Sequence, residues 1–391
     1  MKQVLLLIAY NTINYGTALQ SYATQRTLEK LECEVKVLNM THLAKEIKKR
    51  KLRFFLLEDG VKGILQSKGG LITKKLHKLI DSSFKNKDSN RVILFKEFTN
   101  QHLSLTKEYM CWDEVREDMS QYNVSIVGSD QLWLPASVVT DAYTLSFADK
   151  NKVNKISFAT SFGIASVADK YEEYYQKMFN EMHYISVREP SGQKIVKKIS
   201  GKDVPVVLDP VYMLETSEWN ELVDTKTSTH SEEPYILCYF LGNNQVSREF
   251  AENLRRKTKL RIVAVNQLET YIKTDDVYPD ENPFDVSPEQ FLGLIRDAEY
   301  ILTDSFHAIS FCLIFHKKFW AFKRHSEKMK LSTNNRILAL LSSVGLDDRL
   351  SNETCVPVGY MCEIDYSTVD KILDERKSQT LEYLKEALKN K

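Results

Sequence analysis

Thr303-Asp304-Ser305-Phe306-His307 brings a carboxylate, a hydroxyl and an imidazole into a single turn of chain. Apolar residues 300–302 precede it and apolar residues 308–315 follow. The pattern is a short buried strand that stops at a polar turn and launches a helix. In an open α/β sheet, ligands bind at that junction, beyond the carboxyl end of a strand and at the amino end of the next helix. Free backbone N–H groups and the helix dipole favour an anion there. Asp304 and Ser305 share the turn with His307 and can orient or charge the ring, as acid–base chemistry on an anionic substrate requires. Downstream, Lys323 and Arg324 close the next strand and Arg336 begins a helix. These three cations either converge on the same anion or form a solvated basic edge.

Three further junctions carry usable side chains. In Asn14-Tyr15-Gly16, the glycine permits close backbone approach and the asparagine can cap a helix. This segment is either a capped helix start or a cleft wall for a phosphate or a sugar. Val127-Gly128-Ser129-Asp130-Gln131-Leu132-Trp133 offers Ser129, Asp130 and Gln131 to sugar hydroxyls and the Trp133 indole to an apolar sugar face. The competing reading is a βα turn whose Trp133 only packs in the core. Ser186-Val187-Arg188-Glu189-Pro190 ends a strand in a forked guanidinium suited to a carboxylate or phosphate. Its alternative is a structural Arg188–Glu189 pair.

Positioning these junctions takes two series of parallel α/β units. Residues 4–9 and 35–38 read as strands flanking a helix over 15–31, apolar on both faces as parallel strands are. Residues 41–118 change character to a lysine-rich, helical pattern and read as an insertion. Strand grammar returns at 124–127, 155–158, 184–187 and 206–208, completing a first domain over 1–223. The polar stretch 224–233 reads as a linker. A second domain, 234–350, alternates strands at 235–240, 261–265, 300–302 and 319–322 with helices, and 351–391 forms a tail ending in a long amphipathic helix. Two doubly wound domains facing a cleft is the economical architecture.

Composition narrows the function class. The chain has 391 residues, a length that favours two or three domains, and its net charge of +1 argues against a nucleic-acid partner. The cysteines form no CxxC pair and no metal-like spacing; Cys238 and Cys312 sit in apolar runs as small core residues. A reducing cytoplasmic compartment fits that usage. The apolar amino terminus is too short for a membrane span and lacks a cleavage pattern, so it reads as the first strand. Residues 45–57 are basic and then apolar. They form a solvated helix or a patch that rests on the anionic inner face of a membrane.

Taken in order, these segments resemble the polysaccharide pyruvyl transferase family. The resemblance runs over most of residues 4–350 and rests on the 14–16 and 127–133 segments. It also rests on Ile156-Ser157-Phe158-Ala159-Thr160-Ser161-Phe162-Gly163, Ser186-Val187-Arg188-Glu189, Val207-Leu208-Asp209-Pro210 and the 303–307 turn. It implies two Rossmann-like domains arranged as in GT-B glycosyltransferases. It also implies transfer of a pyruvyl group from phosphoenolpyruvate to a sugar, free or lipid-linked, with no cofactor and no metal. Carried onto this chain, Arg188 holds the donor's phosphate or carboxylate, while His307, with Ser305 and Phe306 beside it, lies against the donor. Some branches have arginine two positions before the histidine, where this chain has Ser305; the resemblance then moves the phosphate contact to Lys323, Arg324 or Arg336. His307, kept cationic by Asp304, is the expected general acid. Two rivals stand beside this reading: a GT-B glycosyltransferase using a nucleotide sugar, and a non-catalytic glycan-binding relative.

Overall fold

A computed structural model describes residues 1–58, 60, 69–223, 233–266, 271–324, 334–359 and 363–389. The linker expected at 224–233 lies, but for its last residue, outside them. The first lobe is built on five parallel strands: β1 (Lys2–Leu7), β2 (Cys33–Val37), β3 (Val124–Val127), β4 (Asn154–Thr160) and β5 (Tyr184–Val187), in the order β2-β1-β3-β4-β5. Helices cover both faces, which is why β1, β3 and β4 are buried along nearly their whole length. Residues 206–208, expected as a sixth strand, make only an isolated bridge between Val206 and Val187, because Pro205 and the Asp209-Pro210 turn cut the segment short.

The second lobe repeats the plan with β6 (Tyr235–Tyr239), β7 (Arg261–Ala264), β8 (Tyr300–Thr303), β9 (Lys318–Phe322) and β10 (Leu350–Ser351), all parallel, in the order β10-β9-β8-β6-β7. Between β2 and β3 the chain forms helices Leu43–Glu58, Gly69–Ile80, Ser82–His102 and Trp112–Asp118, a helical insertion on the first lobe. The two Rossmann-like lobes pack against one another through a shared apolar core.

Strand order reverses once in each sheet, between β1 and β3 in the first lobe and between β6 and β8 in the second. Adjacent loops leave such a pair in opposite directions, which opens a crevice beyond the carboxyl ends of the strands. The Asn14–Gly16 and Gly128–Asp130 turns lie at the first crevice, the Leu241–Gly242 and Asp304–His307 turns at the second.

One apolar core runs through both lobes, while a smaller cluster fills the outer face of the second sheet. Tyr15, at the start of the Tyr15–Lys30 helix, stacks on Phe291 of the second lobe with ring centroids 4.3 Å apart. Its hydroxyl donates to the Val286 carbonyl at 3.0 Å. The closing helix, Tyr366–Lys389, returns to the first lobe: the Tyr383 hydroxyl donates to the Ser157 carbonyl at 2.7 Å, Asn154 Nδ2 to the Ala387 carbonyl at 2.8 Å and the Leu208 amide to Thr380 Oγ1 at 3.0 Å.

Candidate active site

At the end of β8, Thr303 donates to the Tyr239 carbonyl at 2.7 Å and accepts the Ser305 amide at 3.1 Å, which bends the chain out of the sheet. Ser305 caps the Phe306–Ile314 helix by accepting the Ala308 amide at 3.4 Å. The helix therefore presents Phe306 and His307 from its first turn, both buried. Across the lobe boundary His307 lies against Gly16. A Cβ at position 16 would sit 2.3 Å from His307 Nδ1, so only glycine admits the ring.

Asp304 stands elsewhere than its sequence neighbours suggest. Its carboxylate accepts the Leu241 and Gly242 amides at 2.6 and 2.8 Å, tying the β8 turn to the β6 turn across the crevice. Burial pushes this carboxyl up, against the pull of Arg324 and the two amides. The carboxylate beside the imidazole is instead Asp209, whose Oδ2 lies 3.5 Å from His307 Nε2. This corrects the expectation that Asp304 charges His307. Its physical reason is that two unpaired amides on the neighbouring strand claim the Asp304 oxygens first.

Asp209 also receives Arg188 Nη1 at 2.6 Å and Ser129 Oγ at 2.9 Å. Burial alone would raise this carboxyl; His307 and Arg188 outweigh it and hold it well below the usual carboxylate range. Asp130 behaves alike: burial is opposed by His307, Arg188 and Arg336, and its Oδ2 accepts the Thr17 hydroxyl at 2.8 Å, bridging the first lobe's crevice. Asp130 has φ +81°, a left-handed conformation that aspartate tolerates and most residues do not.

Arg188 is held by Asp209, and its Nε and Nη2 make no hydrogen bond but lie 3.8 Å from Glu189 Oε2 and 3.9 Å from Asp130 Oδ1, so the Arg188–Glu189 pair is present as well. Its guanidinium lies 4.4 Å from the centre of the Phe306 ring, and that of Arg336 lies 5.8 Å from it. Burial and the like charge of Arg188 pull Arg336 below its usual value. With its amide oxygen turned toward Arg336, Gln131 accepts Nε and Nη2 at 3.3 Å each. A small cavity of about 60 Å³ is lined by Arg188, Asp209, Tyr212, Phe306, Arg336 and Arg376. Arg376 reaches it from the closing helix, where it donates to Ser343 Oγ at 2.9 Å. Two buried guanidiniums and a third beside them suit a phosphate or carboxylate.

The other residues singled out divide. Asn14 caps its helix by accepting the Thr17 amide at 3.1 Å, and Tyr15 is wholly committed to the lobe boundary. Trp133 is core: its indole donates to the Tyr143 carbonyl at 3.2 Å and meets Phe162 and Phe179 edge-on, so it offers no platform to a sugar. Arg324 Nη2 donates to the Asp304 carbonyl at 3.4 Å and its stem packs on Gly242, so it braces the second crevice. The Lys323 carbonyl receives Asn244 Nδ2 at 3.0 Å at the same edge. Sequence reasoning missed the place of Asp209, which ends a motif with no chemistry of its own in view. It also missed Arg376, one cation among many on an amphipathic helix.

A profile of the polysaccharide pyruvyl transferase family matches residues 14–326. The chain belongs to that family. Arg336 and Arg376 lie beyond the matched stretch, so part of the cavity wall in this pyruvyl transferase family member comes from outside it. No curated protein matches the chain. Among solved structures, it is similar to the UDP-GlcNAc 2-epimerase of Methanocaldococcus jannaschii bound to UDP-GlcNAc and UDP, at 13% identity and TM-score 0.44, covering 96% of this chain and 99% of that one. The UDP-GlcNAc 2-epimerase of Neisseria meningitidis is similar at 10% identity and TM-score 0.45, covering 98% and 100%. A spinosyn rhamnosyltransferase is similar at 9% identity and TM-score 0.44, covering 97% and 96%.

Proposed function

We propose that this protein moves the pyruvyl group of phosphoenolpyruvate onto a sugar of a cell-surface polysaccharide or its precursor, forming a pyruvate ketal. The observation that carries the reading is the meeting, at the lobe boundary, of His307 with Asp209 and Arg188 beside an anion-sized cavity walled by three arginines. Family membership supplies the class of reaction.

In this scheme Arg188, Arg336 and Arg376 hold the anionic end of the donor. The enol ether carbon becomes electrophilic when its methylene takes a proton, and His307, paired with Asp209, is the group placed to give it. One sugar hydroxyl then adds to that carbon and loses its proton to the imidazole. Phosphate then departs with the bridging oxygen, a neighbouring hydroxyl takes its place on the carbon and closes the ring, and that hydroxyl's proton leaves on the phosphate. Positive groups that stabilise the departing phosphate do most of the work, since they stand ready before charge builds. The products are the ketal and inorganic phosphate, and no electron changes hands, so the scheme uses no redox cofactor.

The test is phosphate release from phosphoenolpyruvate with a panel of saccharides, alongside thermal shift. Stabilisation by phosphoenolpyruvate and saccharide-dependent release support the reading. Stabilisation by a nucleoside diphosphate and not by phosphoenolpyruvate would overturn it in favour of glycosyl transfer. Saccharide binding with no release would point to a non-catalytic relative.

A further inference from the structure

The helical insertion carries a surface that the transfer reaction leaves unused. Its helices Leu43–Glu58, Gly69–Ile80 and Ser82–His102 hold thirteen Lys and Arg against four Asp and Glu, a net +9 in a chain whose total is +1. Nine of the fourteen exposed large apolar side chains among the described residues lie on these same helices. Leu76, Leu79 and Ile80, spaced to share one helix face, are 57, 81 and 83% exposed, and Leu57 is 78% exposed. Exposed apolar residues scattered singly need no explanation, but a cluster inside a segregated positive field does.

The surface is firmly mounted. Lys74 and Lys78 both pair with buried Asp88, which locks the second and third of these helices together. The first is anchored by buried Leu43 and Ile47 and by Lys51, which donates to Ser137 Oγ at 2.8 Å. Arg91 fixes the third helix to the second lobe by donating to the Asn266 carbonyl at 3.2 Å. Exposed cations, among them Lys45, Lys48, Lys49, Arg53 and Lys75, are carried on the same helices. Val92 reaches further. It also lines a cavity of about 240 Å³ with Tyr10, Asn11 and Thr12, beyond the carboxyl end of β1.

We propose that the exposed basic and apolar side chains of these helices dock on the surface of an anionic lipid bilayer. Apolar side chains enter the boundary between headgroups and acyl chains while lysines and arginines meet the lipid phosphates, the division of labour of interfacial amphipathic helices. A second copy of the chain would bring two fields of +9 together, and double-stranded nucleic acid offers nothing to Leu79 or Ile80. Among the described residues no helix is long and apolar enough to cross a membrane, so the contact is peripheral.

Co-sedimentation of the whole protein with vesicles tests this without any substrate, so its result is separate from that of the transfer reaction. The protein is expected to pellet with vesicles containing phosphatidylglycerol, to stay in solution with pure phosphatidylcholine, and to be released by high salt. Replacing Leu76, Leu79 and Ile80 together by serine leaves the charge intact and is expected to cut partitioning at least ~10-fold, since fewer apolar groups are buried. Lys48→Glu with Lys49→Glu is expected to cut it further, by about 5-fold or more for each charge removed. Circular dichroism confirms that these surface variants stay folded. The proposal falls if the protein ignores both kinds of vesicle, if the serine variant binds as well as the parent, or if double-stranded DNA competes the protein off the vesicles.

Discussion

In the proposed transfer His307 gives the proton from beside Asp209, 3.5 Å away, which is itself paired with Arg188. Replacing it with alanine removes the acid but leaves the Arg188–Asp209 pair whole, so turnover is expected to fall about 10²–10⁴-fold with little change in donor affinity. Phosphate-release kinetics read both quantities. Arg336 makes the opposite trade. It is buried beside another cation, so Arg336→Met is expected to leave the melting temperature unchanged or higher. The same change should weaken phosphoenolpyruvate binding by about tenfold or more, because a buried charged contact to the anion is lost. Asp209 brings a pH dependence. Its folded value lies below the unfolded 3.8, so the stability it contributes is complete above that value and drains away as pH falls through the folded one. Urea unfolding between pH 5 and more acid conditions is expected to show that loss in the parent and a flatter profile in Asp209→Asn. Position, at this scale, was easier to read than partner. The turn holding His307 is visible because strand, polar turn and helix follow one another within a dozen residues. That Asp209 faces the ring is invisible, since 98 positions of chain separate the two and local spacing pointed to Asp304. Trp133 and Tyr15 show the same limit: an aromatic just past a strand reads alike whether it faces a cleft or the core.

The β-strands and the turns that end them do the assembling. Each crevice is cross-braced by one aspartate, Asp130 through the Thr17 hydroxyl and Asp304 through two backbone amides. Asp304→Ala is therefore expected to destabilise the second lobe by ~1–3 kcal/mol for each amide left buried and unpaired. Chemical denaturation measures that loss, and a purely electrostatic role for Asp304 at His307 would instead spare stability and lower turnover. Strand order explains why the brace is needed, because the loops on either side of a switch point leave in opposite directions. The strands themselves were legible from apolar runs, among them 235–240, 261–265, 300–302 and 319–322, which became β6 to β9. Residues 206–208 were overread, since a short apolar run beside a proline has strand character without room for a ladder.

Two lobes with a continuous core behave as one cooperative body. The Tyr15–Phe291 stack and the apolar cluster that spans the boundary predict a single calorimetric transition in place of two. Ending the chain before Tyr366 removes the hydrogen bonds to Ser157, Asn154 and Leu208. That truncation is expected to lower the melting temperature and to split or broaden the transition, which calorimetry detects. The two-domain plan was readable from alternating strand and helix patterns. The return of the closing helix was not, because an amphipathic pattern says that a face is buried and never against what.

That return has a consequence for how the protein is made. The lobe that leaves the ribosome first lacks this part of its cover until Tyr366–Lys389 has emerged. On the nascent chain Ser157, Asn154 and Leu208 wait for partners that lie 226, 233 and 172 positions further along.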